Sequence, residues 1–257
     1  MKLKPYKPVK LPLAAIDWES LIPLIGKAHA SLARFDALIP RIRNPELLTL
    51  QEALDSIQSQ EGAITLKELI LHTKKPRKNL EWKYQKILNY QEALEWGAKK
   101  HSISLQFLCH LHKIIKRDPE GNQSEIGHFR KRQNWIGPEG CAMEDAFFYP
   151  PDPKTLLKSM HNLKEYLKLP ERDPLVQLAI FFAQFLTLHP FMDGNGRVAR
   201  ALVPLYLYKK KLISRPLFYL SGYFKKHRLA YLEKLGDISS NNEWQGWIEF
   251  FLKAMIE

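Results

Sequence analysis

The stretch HPFMDGNGRVAR, residues 189–200, sets an imidazole, a carboxylate, an Asn between two glycines and two guanidinium groups close together. Pro190 disfavours helix in the residue before it, so a preceding helix should end near His189. Asp193 and Gly194 make a turn, and a new helix is expected from Asn195–Gly196 through Leu207. Glycines at 194 and 196 let main-chain N–H groups approach a ligand closely, and a helix N-terminus favours an anion. Arg197 and Arg200 lie one turn apart on one face, placed to reach phosphates held at that terminus. Asp193 is a hard oxygen ligand of the kind Mg²⁺ uses together with phosphate oxygens. His189, at the lip of this cradle, titrates in the right range to take a proton from an incoming hydroxyl. These types at this spacing describe nucleotidyl or phosphoryl transfer to a hydroxyl. Neither a GxxxxGK(S/T) loop nor a GxGxxG following a strand competes for that reading.

The elements that must hold these residues are helical. Apolar residues recur at spacings of three and four over 21–38, 46–60, 79–98, 104–115, 153–167 and 242–256. Leu175–Leu188 (LVQLAIFFAQFLTL) is apolar nearly all round, which makes it the buried central helix leading into the motif. No strand–helix alternation and no internal repeat is visible, so the chain reads as all-α. One stretch interrupts the pattern: Gln133–Pro151 (QNWIGPEGCAMEDAFFYPP) has turn residues flanked by aromatics and closed by two prolines. It is expected to form a small β-hairpin flap over the helices. An exposed hairpin edge can pair with an extended segment of a target through main-chain hydrogen bonds; Ile136, Gly137, Phe147 and Phe148 are the docking candidates. Asn89–Tyr90 and Tyr223–Phe224 are further candidates for walls of the nucleotide site.

Composition sets the outer bounds. With 257 residues, 45% of them hydrophobic, the chain can bury one substantial core or two smaller ones. The formal net charge of +12 favours phosphorylated ligands, nucleic acids or acidic surfaces. Basic runs at Lys74–Lys78, Arg130–Arg132 and Lys209–Lys211 read first as solvated faces. Cys109 and Cys141 show no metal-ligand or CxxC spacing, which suits a reducing compartment. The basic start leads into no sustained apolar run, and Leu175–Leu188 is shorter than the roughly 18 residues of a spanning helix. A cytoplasmic protein with no membrane partner is the expectation.

HPFMDGNGRVAR fits the HPFxDGNGRxxR signature of Fic-domain proteins at every fixed position. GHFRKRQNWIG (127–137) and FFYPP (147–151) resemble the flap region of that family, and 218–235 and 244–251 its C-terminal helices. ASLARFDAL (30–38) and NPELL (44–48) resemble its N-terminal extension. The resemblance covers about residues 20–257. It implies a Fic-like helical bundle that moves AMP from ATP to a Ser, Thr or Tyr hydroxyl of a protein. It also implies an N-terminal helical extension over 1–98 and a core over 99–257. By this resemblance His189 deprotonates the target hydroxyl and Phe191 holds the loop in the core. Asp193 holds Mg²⁺, and Gly194, Asn195 and Gly196 form the anion hole. Arg197 contacts the phosphates, and Arg200 clamps the γ-phosphate. Gly196 is retained where kinase-like relatives carry lysine, which favours AMP as the transferred group.

One class of the family carries an inhibitory helix with the pattern (S/T)xxxE(G/N), whose glutamate pairs with the second motif arginine. The resemblance puts that helix at about 46–62 and makes Glu61, followed by Gly62, the partner of Arg200. The Ser/Thr position holds Ile57. Either the helix is shifted and Ser56 serves, or the brake lacks one hydrogen bond. Two other readings stay open: removal of AMP from a modified protein by the same site, and a non-enzymatic module binding nucleic acid or a partner. The second ranks lower, because no recognition-helix signal follows the core. The target protein, self-modification and self-association into a homo-oligomer are left undecided.

Overall fold

The structure is a computed structural model describing residues 4–57, 64–73, 79–100, 102–118, 124–138 and 140–257. Among the described residues the regular structure is helical, as the periodicity requires. The helices are α1 (Trp18–Leu38), α2 (Glu46–Ile57), α3 (Leu66–Thr73), α4 (Trp82–Ala98), α5 (Leu105–Ile115) and α6 (Pro153–Tyr166). They continue with α7 (Pro174–Leu188), α8 (Asn195–Lys209), α9 (Ser221–Lys226), α10 (Arg228–Asn241) and α11 (Gln245–Ile256). The starts are specified locally. Asp17, Ser104, Asp152 and Asp173 each accept a hydrogen bond from a main-chain N–H in the first turn of α1, α5, α6 and α7. Pro153 and Pro174 occupy first-turn positions, where the missing N–H costs nothing.

Every residue of α7 from Leu175 to Leu188 is buried. It packs against α6, α8, α10 and α11, and one hydrophobic cluster runs from Leu21 in α1 through Tyr90, Phe107 and Phe182 to Trp247 in α11. The two glutamines that break its apolar run are bonded inside. Gln177 donates to Tyr166 O and Leu169 O, both at 3.0 Å, and accepts from the Tyr206 hydroxyl at 2.6 Å. Gln184 donates to Val9 O at 3.0 Å. The segment before α1 is thereby fastened to the core; Asn162 adds two bonds to the Leu11 main chain. No helix among the described residues is long and apolar enough to cross a membrane.

Two differences from the sequence reading have physical causes. Helix α3 was not anticipated, although Thr65 and Glu68 cap it reciprocally: Glu68 accepts from Thr65 N and Thr65 Oγ1 accepts from Glu68 N. Among the described residues the flap is a single isolated antiparallel bridge, Ile136 with Phe148, rather than a hairpin with strands. Phe147 N–H and Phe148 N–H both donate to Ile136 O, a 3-10 turn occupies Met143–Asp145, and Pro150 and Pro151 have no N–H to extend a ladder. The expected inhibitory pair Glu61–Gly62 lies outside the described residues, which reach Ile57 in α2.

Candidate active site

Helix α7 stops at His189, which takes a left-handed backbone conformation (φ 46°, ψ 60°). That is uncommon for a residue with a side chain, and a buried arginine holds it. Arg130 donates from Nε to His189 O at 2.9 Å and from Nη2 to Pro151 O and Leu188 O, while its main-chain N–H donates to Pro190 O at 2.9 Å. Burial lowers its guanidinium to about 10. The reading of Arg130–Arg132 as a solvated run is therefore corrected at its first residue. Lys209 likewise donates to Gly97 O and Lys100 O instead of facing water freely.

Phe191 is fully buried and stacks on His112, ring centroids 3.9 Å apart and nearly parallel. His112 Nδ1 accepts from Gly127 N at 2.8 Å, so its proton sits on Nε2, which donates to Asp193 O at 3.1 Å. Burial pushes this imidazole down to about 4, keeping it neutral and both bonds intact. The amide of Asn195 closes the loop from the other side. Its Oδ1 accepts from Phe191 N at 2.9 Å and its Nδ2 donates to Phe191 O at 2.8 Å. Asn134 adds a bond to Phe191 O at 3.1 Å. The side chain of Asn195 is thus spent on the loop, and the contact it can offer an anion is its main-chain N–H.

Gly194 caps α8 with φ 79°. Val198 N–H donates to Gly194 O at 3.0 Å, so the main chain at Asn195 and Gly196 opens the first turn of α8, the end of a helix that favours an anion. Asp193 stands beside them. Burial alone would raise its carboxyl, but Arg197, Lys116 and the Gly194 N–H outweigh that and bring it down to about 2. Arg197 Nη2 reaches Asp193 Oδ2 at 3.2 Å, and Lys116 Nζ donates to the same oxygen. The Arg200 guanidinium folds over Gly196, where an added Cβ would lie 3.1 Å from Nη1. It donates from Nε to Ser56 Oγ at 2.8 Å and from Nη2 to Ser56 O at 2.9 Å.

His189 Nδ1 lies 3.3 Å from Leu186 O, which assigns the proton to Nδ1 and leaves the Nε2 lone pair free. Burial, with Arg130 nearby, lowers its imidazole to about 4. An open cleft of about 630 Å³ joins His189, Asp193, Gly196, Arg200, Lys86 and Lys116. Next to it, sharing His189 and Gly196, is an apolar cavity of about 350 Å³ between the flap residues Ile136, Phe147 and Phe148 and Tyr231, Leu232 and Leu235 of α10. Gly137 is tight: a Cβ there would meet Cys141 Sγ at 2.5 Å. Phe147 is 74% exposed, and Trp135 and Ile136 are also exposed. Asn89 and Tyr90 are buried in the core, with Asn89 donating to Arg117 O, so they do not wall this cleft. Tyr223 and Phe224 pack against Phe250.

The sequence reading missed Arg130, His112, Lys116 and the anchor of α2. Glu52, buried on α2, accepts from Leu220 N, Ser221 N and Ser221 Oγ at 2.6–2.8 Å, which docks α2 on the start of α9. Ser56, one of the two alternatives left open, is the residue of α2 that meets Arg200, while Ile57 packs against the core.

Two family models match the chain: Fic/DOC family N-terminal over residues 22–99, and Fic/DOC family over residues 102–207. Protein adenylyltransferase Fic of Nematostella vectensis is 26% identical over 161 residues, 58% of this chain and 34% of that protein. Protein adenylyltransferase fic-1 of Caenorhabditis briggsae is 28% identical over 116 residues, 43% of this chain and 20% of that protein. The chain therefore spans about a third or less of the length of these relatives. A Fic family protein from Desulfovibrio desulfuricans G20 superposes with a TM-score of 0.76 at 20% identity, over 98% of this chain and 74% of that one, a likeness of fold.

Proposed function

This chain belongs to the Fic/DOC family, and from that premise we propose that it is a protein adenylyltransferase, moving AMP from ATP to a hydroxyl of a protein. The observation that carries the reading is the cleft itself. A neutral imidazole with a free Nε2 lines one cleft with the N-terminus of α8, where Asn195 and Gly196 open the helix, and with Arg200. The phosphates lie against Asn195–Arg197, and the base fills the apolar cavity between the flap and α10. The target hydroxyl enters beside Ile136 and Phe147. His189 Nε2 takes its proton as the oxygen attacks the α-phosphorus; the bond to the β-phosphate oxygen breaks, and pyrophosphate leaves.

A divalent ion fits this donor set. Asp193 is a half-exposed carboxylate at the cleft, and no group of three metal-ligating side chains occurs among the described residues. Such a site suits Mg²⁺, which takes one or two carboxylates and completes its shell with phosphate oxygens and water. When bound it supplies charge neutralisation on the α- and β-phosphates. Regulation belongs to the same reading. Residues 1–98 act as a regulatory extension to the 99–257 core, and Glu61 competes with the γ-phosphate for Arg200. A charge-assisted pair contributes about 1.5–3 kcal/mol, or one to two decades in productive nucleotide binding.

Intact-mass analysis after incubation with ATP and Mg²⁺ tests the reading. Wild type is expected to gain AMP, Glu61→Gly more of it, and His189→Ala none, since loss of a general base costs about 10²–10⁴-fold. A mass gain that persists in His189→Ala contradicts the assignment.

A further inference from the structure

We propose that Lys116 is a built-in counter-ion for Asp193, occupying the carboxylate that the divalent ion uses and so setting how strongly nucleotide binding depends on that ion. The inference rests on the nucleotide reading of the cleft. Lys116 follows α5, its N–H bonded to His112 O at 2.8 Å. Its side chain crosses the motif loop so closely that a Cβ on Gly194 would meet its Cγ at 2.9 Å and its Cδ at 3.0 Å. The ammonium donates to Asp193 Oδ2, the oxygen that Arg197 also reaches, while Oδ1 accepts from Gly194 N. Both carboxylate oxygens are engaged, and a cation entering at Oδ2 must displace a donor.

The two donors at Oδ2 are not equivalent. Arg197 extends from the same helix end that holds the phosphates and lies four residues from Asp193, its side chain 11% exposed. Lys116 reaches in from a separate helix on a flexible four-carbon stem with a single donating head, its side chain 23% exposed. It is the group that can withdraw a short distance and remain in the cleft it lines. Without the divalent ion, Lys116 cancels the carboxylate that would otherwise repel the β-phosphate. With the ion, the ammonium leaves Oδ2 and faces the phosphates. Removing its charge has opposite effects on the two conditions. Metal-free binding weakens because Asp193 loses a counter-charge, and metal-supported binding no longer includes a displacement.

The test measures the dissociation constant of α,β-methylene-ATP by calorimetry, in EDTA and in MgCl₂, for the full chain and two variants. Lys116→Met keeps the stem over Gly194 and deletes the charge; Lys116→Arg keeps the charge. The expected ratio of the EDTA to the MgCl₂ constant rises about tenfold or more in Lys116→Met, while Lys116→Arg stays near wild type. Should Lys116→Met fail to fold by thermal melting, Lys116→Gln makes the same neutralisation and carries the comparison. An unchanged ratio in the neutral variant, or an equal rise in Lys116→Arg, overturns the counter-ion role and leaves the nucleotide site standing. No binding by wild type in either buffer overturns both.

Discussion

His189 sets the residue scale. A solvated histidine would titrate near its unperturbed value of ~6.5, whereas burial lowers this one to about 4. In the proposed mechanism the neutral ring is the base, so lowering the pKa extends the working range toward acid. The transfer rate under saturating ATP is therefore expected to stay flat from about pH 8 to pH 5 and to fall only as the pH approaches 4. An inflection near 6.5 assigned to His189 by NMR titration would contradict this. Arg130 is the other residue on which the loop depends, because its guanidinium and N–H satisfy carbonyls at 132, 151, 188, 189 and 190. Arg130→Met strips the carbonyls at 132, 151, 188 and 189 of a charged donor and keeps the main-chain bond to Pro190 O, each charged bond contributing ~1.5–3 kcal/mol. We expect a urea-measured loss of at least ~3 kcal/mol together with loss of transfer activity.

The motif was legible because its residues are contiguous and their order is itself informative. Arg130, His112 and Lys116 were not, because each is an ordinary residue type whose role exists only after a distant segment is brought against it. Arg130 sat in a run that charge alone assigned to solvent. Asn195 was read toward phosphate, yet both ends of its amide bind Phe191, a contact that spacing does not reveal.

At the scale of elements, α2 decides how the site is held at rest. Glu52 fixes it to the start of α9, Asp55 ties it to Tyr219 and Lys225, and Ser56 receives Arg200. Ser56→Ala removes the acceptor of Arg200 Nε and leaves the carbonyl contact in place. The expected result is a modest gain in nucleotide affinity, up to about tenfold, and smaller than that of Glu61→Gly, both read by the same calorimetric titration. A loss of affinity in Ser56→Ala would mean that Ser56 presents Arg200 to the nucleotide instead of detaining it. Among the elements, α7 was readable from its all-round apolarity, and the turn at 193–194 from its Asp-Gly pair. Helix α3 was passed over because it is short, although its Thr65–Glu68 box was available as a signal. The flap shrank to one bridge because aromatic and proline content marks an irregular excursion without specifying a ladder.

At the scale of the molecule, the helices on either side of residue 98 share one hydrophobic cluster, so the segment before the motif is part of the core structure. The first residues make the point. Leu11 is 2% exposed, Gln184 and Asn162 bond the main chain of Val9 and Leu11, and Tyr6 N–H donates to Tyr149 O at the foot of the flap. Deleting residues 1–11 removes a buried leucine, worth ~1.5–3 kcal/mol, and leaves the buried Gln184 amide and the half-buried Asn162 amide short of partners, at up to ~1–3 kcal/mol each. Urea unfolding of the truncated chain should show a loss of ~3 kcal/mol or more. Equal stability would mean that these residues ride on the surface. The net charge of +12 is consistent with an anionic ligand but selects none; on the proposed reading the half-buried Lys86, Lys116, Arg197 and Arg200 about one cleft do the selecting.

The most direct measurement of the central claim is a crystal structure of the chain with α,β-methylene-ATP and Mg²⁺. The account predicts phosphates on the main-chain N–H groups of Asn195–Arg197, the α-phosphorus facing His189 Nε2, and the base between Ile136 and Leu235. Nucleotide bound away from Gly196 and Arg200, in wild type and in Glu61→Gly alike, would contradict it.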